Sequence, residues 1–257
     1  MSEPNVRTAE SAPVGLYIPS SLLEIDPSAT IPPTQDELPY DDEEPLESQR
    51  HLFQIMLLIE TLKQHWADRD DFFAGGNMFV YFSTAQIKKN DFRGPDFFVA
   101  TGVDGKRERK SWVVWEEGKS PDMVIEFLSE STADFDCGAK MKIYHDRVRV
   151  PEYFYYDPFA GELAGFITNG LEYQSKAPDE DGRLICNATG LALVAWQGEY
   201  LGLHSQWLRW ETSEGELVPT EAELAERLFQ RAEQERQRAE RMAAKLRELG
   251  VDPTMFD

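Results

Sequence analysis

The chain is short of the residues that build soft-metal sites. It has two cysteines, Cys137 and Cys186, in no CxxC or comparable spacing, and four scattered histidines, His51, His65, His145 and His204. Neither set has the ligand spacing of a zinc site, and reduced thiols suit so sparse a pair better than a structural disulfide. No apolar run is long enough to cross a bilayer. The opening MSEPNVRTAESAPVG lacks the basic start and greasy stretch of a secretory signal, so the cytoplasm is the expected location. The P-loop GxxxxGK[ST], a GxGxxG after a strand, HExxH and GxSxG are all missing, which removes the mechanisms those motifs support. Positive charge is also scarce. Against 47 Asp and Glu stand 26 Lys and Arg, for a net charge of -21. Nucleic-acid binders usually carry a basic face that neutralises phosphates, so this balance counts against a DNA substrate while leaving room for a local basic strip.

The 257 residues suffice for one well-buried domain with appendages, or for two small domains. Residues 1–45 read as an acidic extended arm: they are rich in Pro, Ser, Asp and Glu and include PPTQDELPYDDEEP. Residues 46–212 read as the folded domain. It opens on LESQRHLFQIMLLIETLKQHW, where Leu52, Ile55, Met56, Ile59 and Leu62 recur at helical spacing. Strand-like runs follow: GNMFVYFS, GPDFFVATGV, KSWVVWEEG and PDMVIEFLS. STADFDCGAKMKIYHDRV predicts a loop entering a helix capped by Ser131, Thr132 or Asp134. VPEYFYYDP predicts an aromatic strand, and GELAGFITNGLEYQ a hairpin turning at Asn169-Gly170. Short strands continue to LGLHSQWLRW. Residues 213–257 carry a charged C-terminal helix. Ala225, Ala232, Ala239 and Leu246 form one heptad series and Leu228, Glu235, Met242 and Leu249 the other, so either a dimerising coiled coil or a solvated helix is expected. The order of elements predicts an α/β fold with a mixed sheet flanked by helices.

Two acids stand out by their surroundings. Asp96 and Glu126 each interrupt an apolar strand, where an ionised carboxylate is costly unless something pairs with it. Two carboxylates at neighbouring strand ends would repel each other, and a divalent cation such as Mg2+ or Mn2+ removes that repulsion and can polarise a phosphodiester. The plainer reading is that Asp96 closes a turn at Gly94-Pro95 while Glu126 pairs with a lysine.

The words GPDFF (94–98), PDMVIEFLSEST (121–132), the series Asp136, Lys140, Tyr144, and VPEYFYYDP (150–158) together resemble the restriction endonuclease family of the Uma-two type, a branch of the PD-(D/E)XK nuclease superfamily. The resemblance runs from about Leu46 to Tyr173 and implies a restriction-endonuclease-like core. It maps the superfamily's Pro-Asp pair onto Pro95-Asp96 and its second acid onto Glu126, with the backbone carbonyl of Phe127 as a further metal ligand. Leu128 occupies the place of the superfamily's usual lysine. The family instead has a lysine on the following helix, matched by Lys140, which would orient water or stabilise charge on phosphorus. An ion pair between Asp136 and Lys140 is the competing role, and Lys142 is a weaker substitute. Related nucleases place a glutamate on the first helix, where Glu47 stands, although a carboxylate there also suits the helix dipole. His51, one turn on, would orient phosphate or simply pack. Tyr144 would pack on the sheet or hold Lys140. These expectations describe a magnesium-dependent endonuclease acting on DNA, with homodimerisation through the C-terminal helix. The alternative is a non-catalytic interaction or assembly protein on a nuclease-like fold.

Overall fold

The computed structural model describes residues 31–40, 48–84, 91–128 and 136–249, with Asp136 and Cys137 placed by their backbone only. Along the chain run α1 (Gln49–His65), β1 (Phe72–Gly75), β2 (Val80–Tyr81), β3 (Phe92–Arg93), β4 (Phe97–Thr101), β5 (Trp112–Val113), the single turn α2 (Val114–Glu117) and β6 (Met123–Phe127). The helical segment α3 follows, with π-type turns at Asp136–Lys140 and Tyr144–Val148 around an α-helical stretch, Met141–Ile143. After it come β7 (Glu152–Tyr156), β8 (Leu163–Thr168), β9 (Tyr173–Ser175), β10 (Leu184–Ile185), β11 (Ala192–Tyr200), β12 (Leu203–Glu211) and α4 (Glu221–Glu248).

A six-stranded sheet in the order β1-β4-β6-β7-β8-β9 organises the molecule. Only β6 and β7 run parallel in it, joined through α3; the other neighbours are antiparallel. Every residue of β6 is buried, as a central strand covered on both faces requires. Phe97, Val99, Met123, Ile125, Phe127 and Phe154 face α1 and the β10-β11-β12 sheet. Phe98, Ala100, Val124 and Tyr153 face the other way, against Tyr144 and Val148 of α3 and against Trp112. The expected class, a mixed α/β sheet flanked by helices with a C-terminal helix, is the one observed.

Several local expectations change. Helix α1 starts at Ser48, whose side chain caps the His51 N–H. Its buried residues are His51, Gln54, Ile55, Leu57, Leu58, Thr61 and Leu62, while Leu52 and Met56 are exposed. The helix packs on the sheet and on β12 at once, so its buried arc is wider than the apolar stripe and takes in polar side chains. KSWVVWEEG yields only two strand residues before turning into α2, because Val80 and Tyr81 of β2 offer just two partners. GNMFVYFS likewise contributes only Val80–Tyr81. The β8-β9 hairpin forms, but its reversal spans Asn169–Glu172 rather than two residues. The two nine-residue strands β11 and β12 close on Leu201-Gly202, with φ of 50° and 77°, the paired left-handed geometry of a tight hairpin. Leucine there hides the turn from sequence reading. The segment Pro33–Tyr40, assigned to the arm by composition, packs on the domain: Leu38 is buried, and the Pro33 and Pro39 carbonyls accept from Trp115 and Tyr81. Helix α4 has no buried residue among those described. No described helix is long and apolar enough to cross a membrane.

Gln54 ties α1 to β12. Its amide donates to the Leu208 carbonyl and accepts from the Leu208 N–H, both at 2.8 Å, taking the place of a neighbouring strand. Gln54→Leu keeps the size of the side chain but strands both backbone groups. Each buried unsatisfied group costs about 1–3 kcal/mol. Urea unfolding of this variant should therefore show a lower midpoint at unchanged slope; an unchanged midpoint would assign Gln54 no such role.

Candidate functional site

Strand register brings Asp96 and Glu126 to one point. β4 and β6 pair as Phe97↔Ile125, Phe98↔Val124 and Val99↔Met123. Continuing that antiparallel register by one position sets Asp96 opposite Glu126, and directly opposed residues of an antiparallel pair share a face. The face is that of Phe98 and Val124, covered by α3. The Asp96 carboxylate also extends the ladder, because its Oδ2 accepts the Phe127 N–H at 2.6 Å.

A lysine and a histidine reach the pair from two sides. Lys140, in the first π-type turn of α3, places Nζ 2.7 Å from Glu126 Oε2. Glu126 is wholly buried and Lys140 largely so. His51 comes from the first turn of α1, with Nε2 3.1 Å from Asp96 Oδ1 and its ring edge-on to Phe127 at 5.4 Å. Burial acts most strongly on Asp96 and pushes its pKa up. The hydrogen bond and charge of His51, the charge of Lys140 and the Phe127 N–H together outweigh burial and hold the carboxyl below its ordinary range. Tyr144 stacks at a tilt on Tyr153, with ring centres 5.5 Å apart. Burial and then the Glu126 carboxylate push its hydroxyl well above the usual phenol range, so it stays protonated and cannot act as a base.

Lys140 thus meets Glu126, and the i,i+4 alternative with Asp136 rests on a side chain outside the described residues. Lys142 is exposed. Glu47 and the cap candidates Ser131, Thr132 and Asp134 also lie outside the described residues. A second buried glutamate, Glu152, sits opposite Met123 on the other face of the sheet. It accepts from the N–H groups of Asn187 and Ala188 at 3.0 and 2.9 Å and pairs with Lys176, which makes it a clamp between β7 and the β10 loop. Asp122, in a second Pro-Asp pair, is occupied likewise by Lys119 and the Thr101 N–H. The buried thiol of Cys186 is pushed up to about 12, first by burial and then by Glu152, so it is no nucleophile at neutral pH.

Gly76 is a positioning residue that sequence reasoning overlooked. A Cβ there would meet the Asp96 carbonyl oxygen at 1.9 Å and Ile55 at 3.0 Å. The next residue, Asn77, with a left-handed φ of 48°, donates its N–H to the Pro95 carbonyl at 3.0 Å. The turn Gly75-Gly76-Asn77 therefore presses on the Pro95-Asp96 peptide. The Gly-Gly-Asn run was the available signal, legible as a turn but silent about its neighbour.

The fold that holds these residues is of the α/β class, a mixed sheet with a helix on either face. The family described as "Uma2: Putative restriction endonuclease" matches residues 32–194, and the chain belongs to that family. Among solved structures, a protein titled a putative nuclease belonging to DUF820, from Anabaena variabilis ATCC 29413, aligns at 15% identity over 62% of this chain and 92% of that one, with a TM-score of 0.41. No curated protein matches the sequence.

The depressed Asp96 pKa has a consequence for stability. The carboxylate's contribution is complete above the unfolded value, ordinarily near 3.8, and is lost as pH falls through the folded value. His51→Ala removes the strongest of the opposing influences, so burial should then drive the Asp96 pKa upward. Side-chain carboxyl NMR titration of wild type and variant should show that rise; an unmoved titration would mean that His51 does not hold Asp96.

Proposed function

We propose that the protein is a divalent-metal-dependent endonuclease that hydrolyses phosphodiester bonds of DNA. The observation that carries this reading is the convergence of Asp96 and Glu126 from opposed strand positions with Lys140 Nζ against Glu126. A buried ion pair is poor evidence of selection for stability, since apolar replacements of similar volume are often as stable or more so. A carboxylate held below its ordinary range, Asp96, beside a wholly buried, lysine-paired one, Glu126, is better explained by chemistry.

The donor set suits magnesium or manganese. Two carboxylates and the Phe127 backbone carbonyl are hard oxygen ligands, and magnesium takes few protein ligands, completing its shell with water and phosphate oxygens. Among the described residues no group of three or more His, Cys, Asp and Glu forms a metal cluster. When bound, the ion would neutralise the acids and polarise the phosphoryl group. Asp96 and Glu126 would hold it, and His51 and the Phe127 N–H would fix the Asp96 carboxylate in orientation. Lys140, once substrate is bound, would donate to the attacking water or to a phosphoryl oxygen as negative charge builds there. Water would add to phosphorus and give up a proton to solvent, the P–O3′ bond would break, and the departing 3′ oxygen would take up a proton from solvent, leaving a 3′ hydroxyl and a 5′ phosphate. Tyr144 would support α3 against the sheet as a neutral phenol.

Asp96→Ala and Glu126→Gln should fold, bind magnesium or manganese more weakly by calorimetry, and lose metal-dependent cleavage. Lys140→Met should retain metal binding while cleavage falls by about 10²–10³-fold, the loss typical of one charge-stabilising donor. Equal cleavage by all three variants would reject the assignment. Absence of any metal site in the wild type would favour an inert interaction protein on this fold, the reading that the overall charge of -21 suggests.

A further inference from the structure

The acids and bases of α4 are balanced in number, but five of its seven bases share one face. At 100° per residue, Arg227, Arg231, Arg238, Arg241 and Lys245 follow at intervals of four, seven, three and four residues and lie on one face. All five are exposed or nearly so. Gln230, Gln234 and Gln237 fill the same side. Glu226, Glu233 and Glu240 recur every seventh residue on the flank of that face, about 120° round at 100° per residue, where Gln230 and Gln237 donate to Glu226 and Glu233 at 2.6 and 2.8 Å and Arg236 bridges Glu233 and Glu240 at 2.7 and 2.8 Å. The acidic flank is therefore partly neutralised in place. The basic face is not: among the described residues Arg238, Arg241 and Lys245 form no ion pair, and Arg231 makes only a 3.9 Å approach to Glu235.

We propose that this basic stripe docks the phosphate backbone of double-stranded DNA. The purpose rests on the nuclease reading, since the stripe would supply substrate to the site on the sheet; the docking itself does not. In a chain of net charge -21, a polyanion is repelled generally and must be met by a concentrated local field. The stripe spans about 27 Å in a straight line, at 1.5 Å per residue, which suits a stiff duplex. It carries no aromatic residue on which the bases of a single strand would stack. Its base is anchored: Arg209 grips Glu223 at 2.7 and 2.6 Å, Thr220 and Glu223 form a capping box, and the Glu221 N–H donates to Glu60 at 2.8 Å. Glu60 lies on α1, the helix that carries His51 to Asp96.

A second copy of the chain fits this face less well. Around the heptad series, the flanking positions Arg231, Arg238 and Lys245 are all basic, and a parallel pairing would set Arg231 against Arg236 of the other copy. A membrane surface fits poorly too, because alanines at 225, 232, 239 and 243 dilute the adjoining apolar face.

The test uses the full chain in chelator, with a fluorescent duplex long enough to span the stripe, read by anisotropy over a range of salt. The variant carries Arg231→Gln, Arg238→Gln, Arg241→Gln and Lys245→Gln, which preserves helix propensity and is checked by circular dichroism. Its affinity should fall at least about tenfold at low salt, and its log–log salt slope should shrink by about 0.9 for each phosphate that the variant no longer neutralises. A companion variant with Glu226, Glu233 and Glu240 changed to Gln should bind no more weakly than wild type. Equal affinity and slope in wild type and basic-face variant would overturn the proposal. So would wild type that binds anionic vesicles but no duplex, or a dimer whose mass halves in the variant without any change in duplex binding. Cleavage separates the two readings. If neither protein cuts DNA but only wild type binds it, the docking surface stands and the nuclease reading falls. If both cut with the same KM and bind alike, the reverse holds.

Discussion

A carboxylate with no solvent exposure, Glu126, sits in the middle strand of a sheet covered on both faces. Taking such a charge out of water costs several kcal/mol, roughly, unless an opposite charge and hydrogen bonds accompany it. That requirement shapes the surroundings. Lys140 must reach across from α3, so α3 must dock on this face, and its π-type turns present Lys140 toward the sheet while Tyr144 and Val148 fill the space beyond. The crossover between the two parallel strands, β6 and β7, is the same segment. The topology that joins them also delivers the counter-charge.

Asp96 solves its version of the problem differently. It stands one rung past the end of β4 and uses its carboxylate as a substitute ladder acceptor for Phe127, with His51 closing the other oxygen. The two acids are therefore held by different elements, α3 for one and α1 for the other, and a change in either helix alters the charge balance at the shared point. Glu152 shows the contrast. Buried to a similar degree, it is saturated by two backbone N–H groups and Lys176, and its charge serves to tie β7 to a loop. Burial and a lysine partner are common to Glu126 and Glu152, so neither feature by itself distinguishes a structural clamp from a reactive group.

Charge over the whole molecule works against a nucleic-acid partner, and charge in one place works for it. The excess acid is spread along the chain, including the segment at Pro33–Tyr40, where Asp36 is paired with Lys110 on the domain surface. On one side of α4, by contrast, a row of cations runs with the acids at its flanks. Net charge averages away this arrangement, and only the helical period brings it out.

Strands and acids were legible in order. Apolar runs marked β4, β6 and β7, and acids embedded in two of those runs marked Asp96 and Glu126 as costly and therefore purposeful. The family words added Lys140 and the expected core. Turns and faces were less legible. Leu201 in a left-handed turn and the exposed Met56 run against local preference because the β11-β12 pairing and the double packing of α1 override it. Gly76 could be read as a turn residue, yet its approach to Asp96 joins positions twenty residues apart. By itself, then, the sequence determined which segments are strands and helices and which charges had to be paired, since propensity, periodicity and desolvation are local matters. Only the tertiary structure decided which partner each charge found: Lys140 for Glu126, His51 for Asp96, Lys176 for Glu152. Register and docking are set by the packing of the whole core, and no local pattern encodes a meeting between strands.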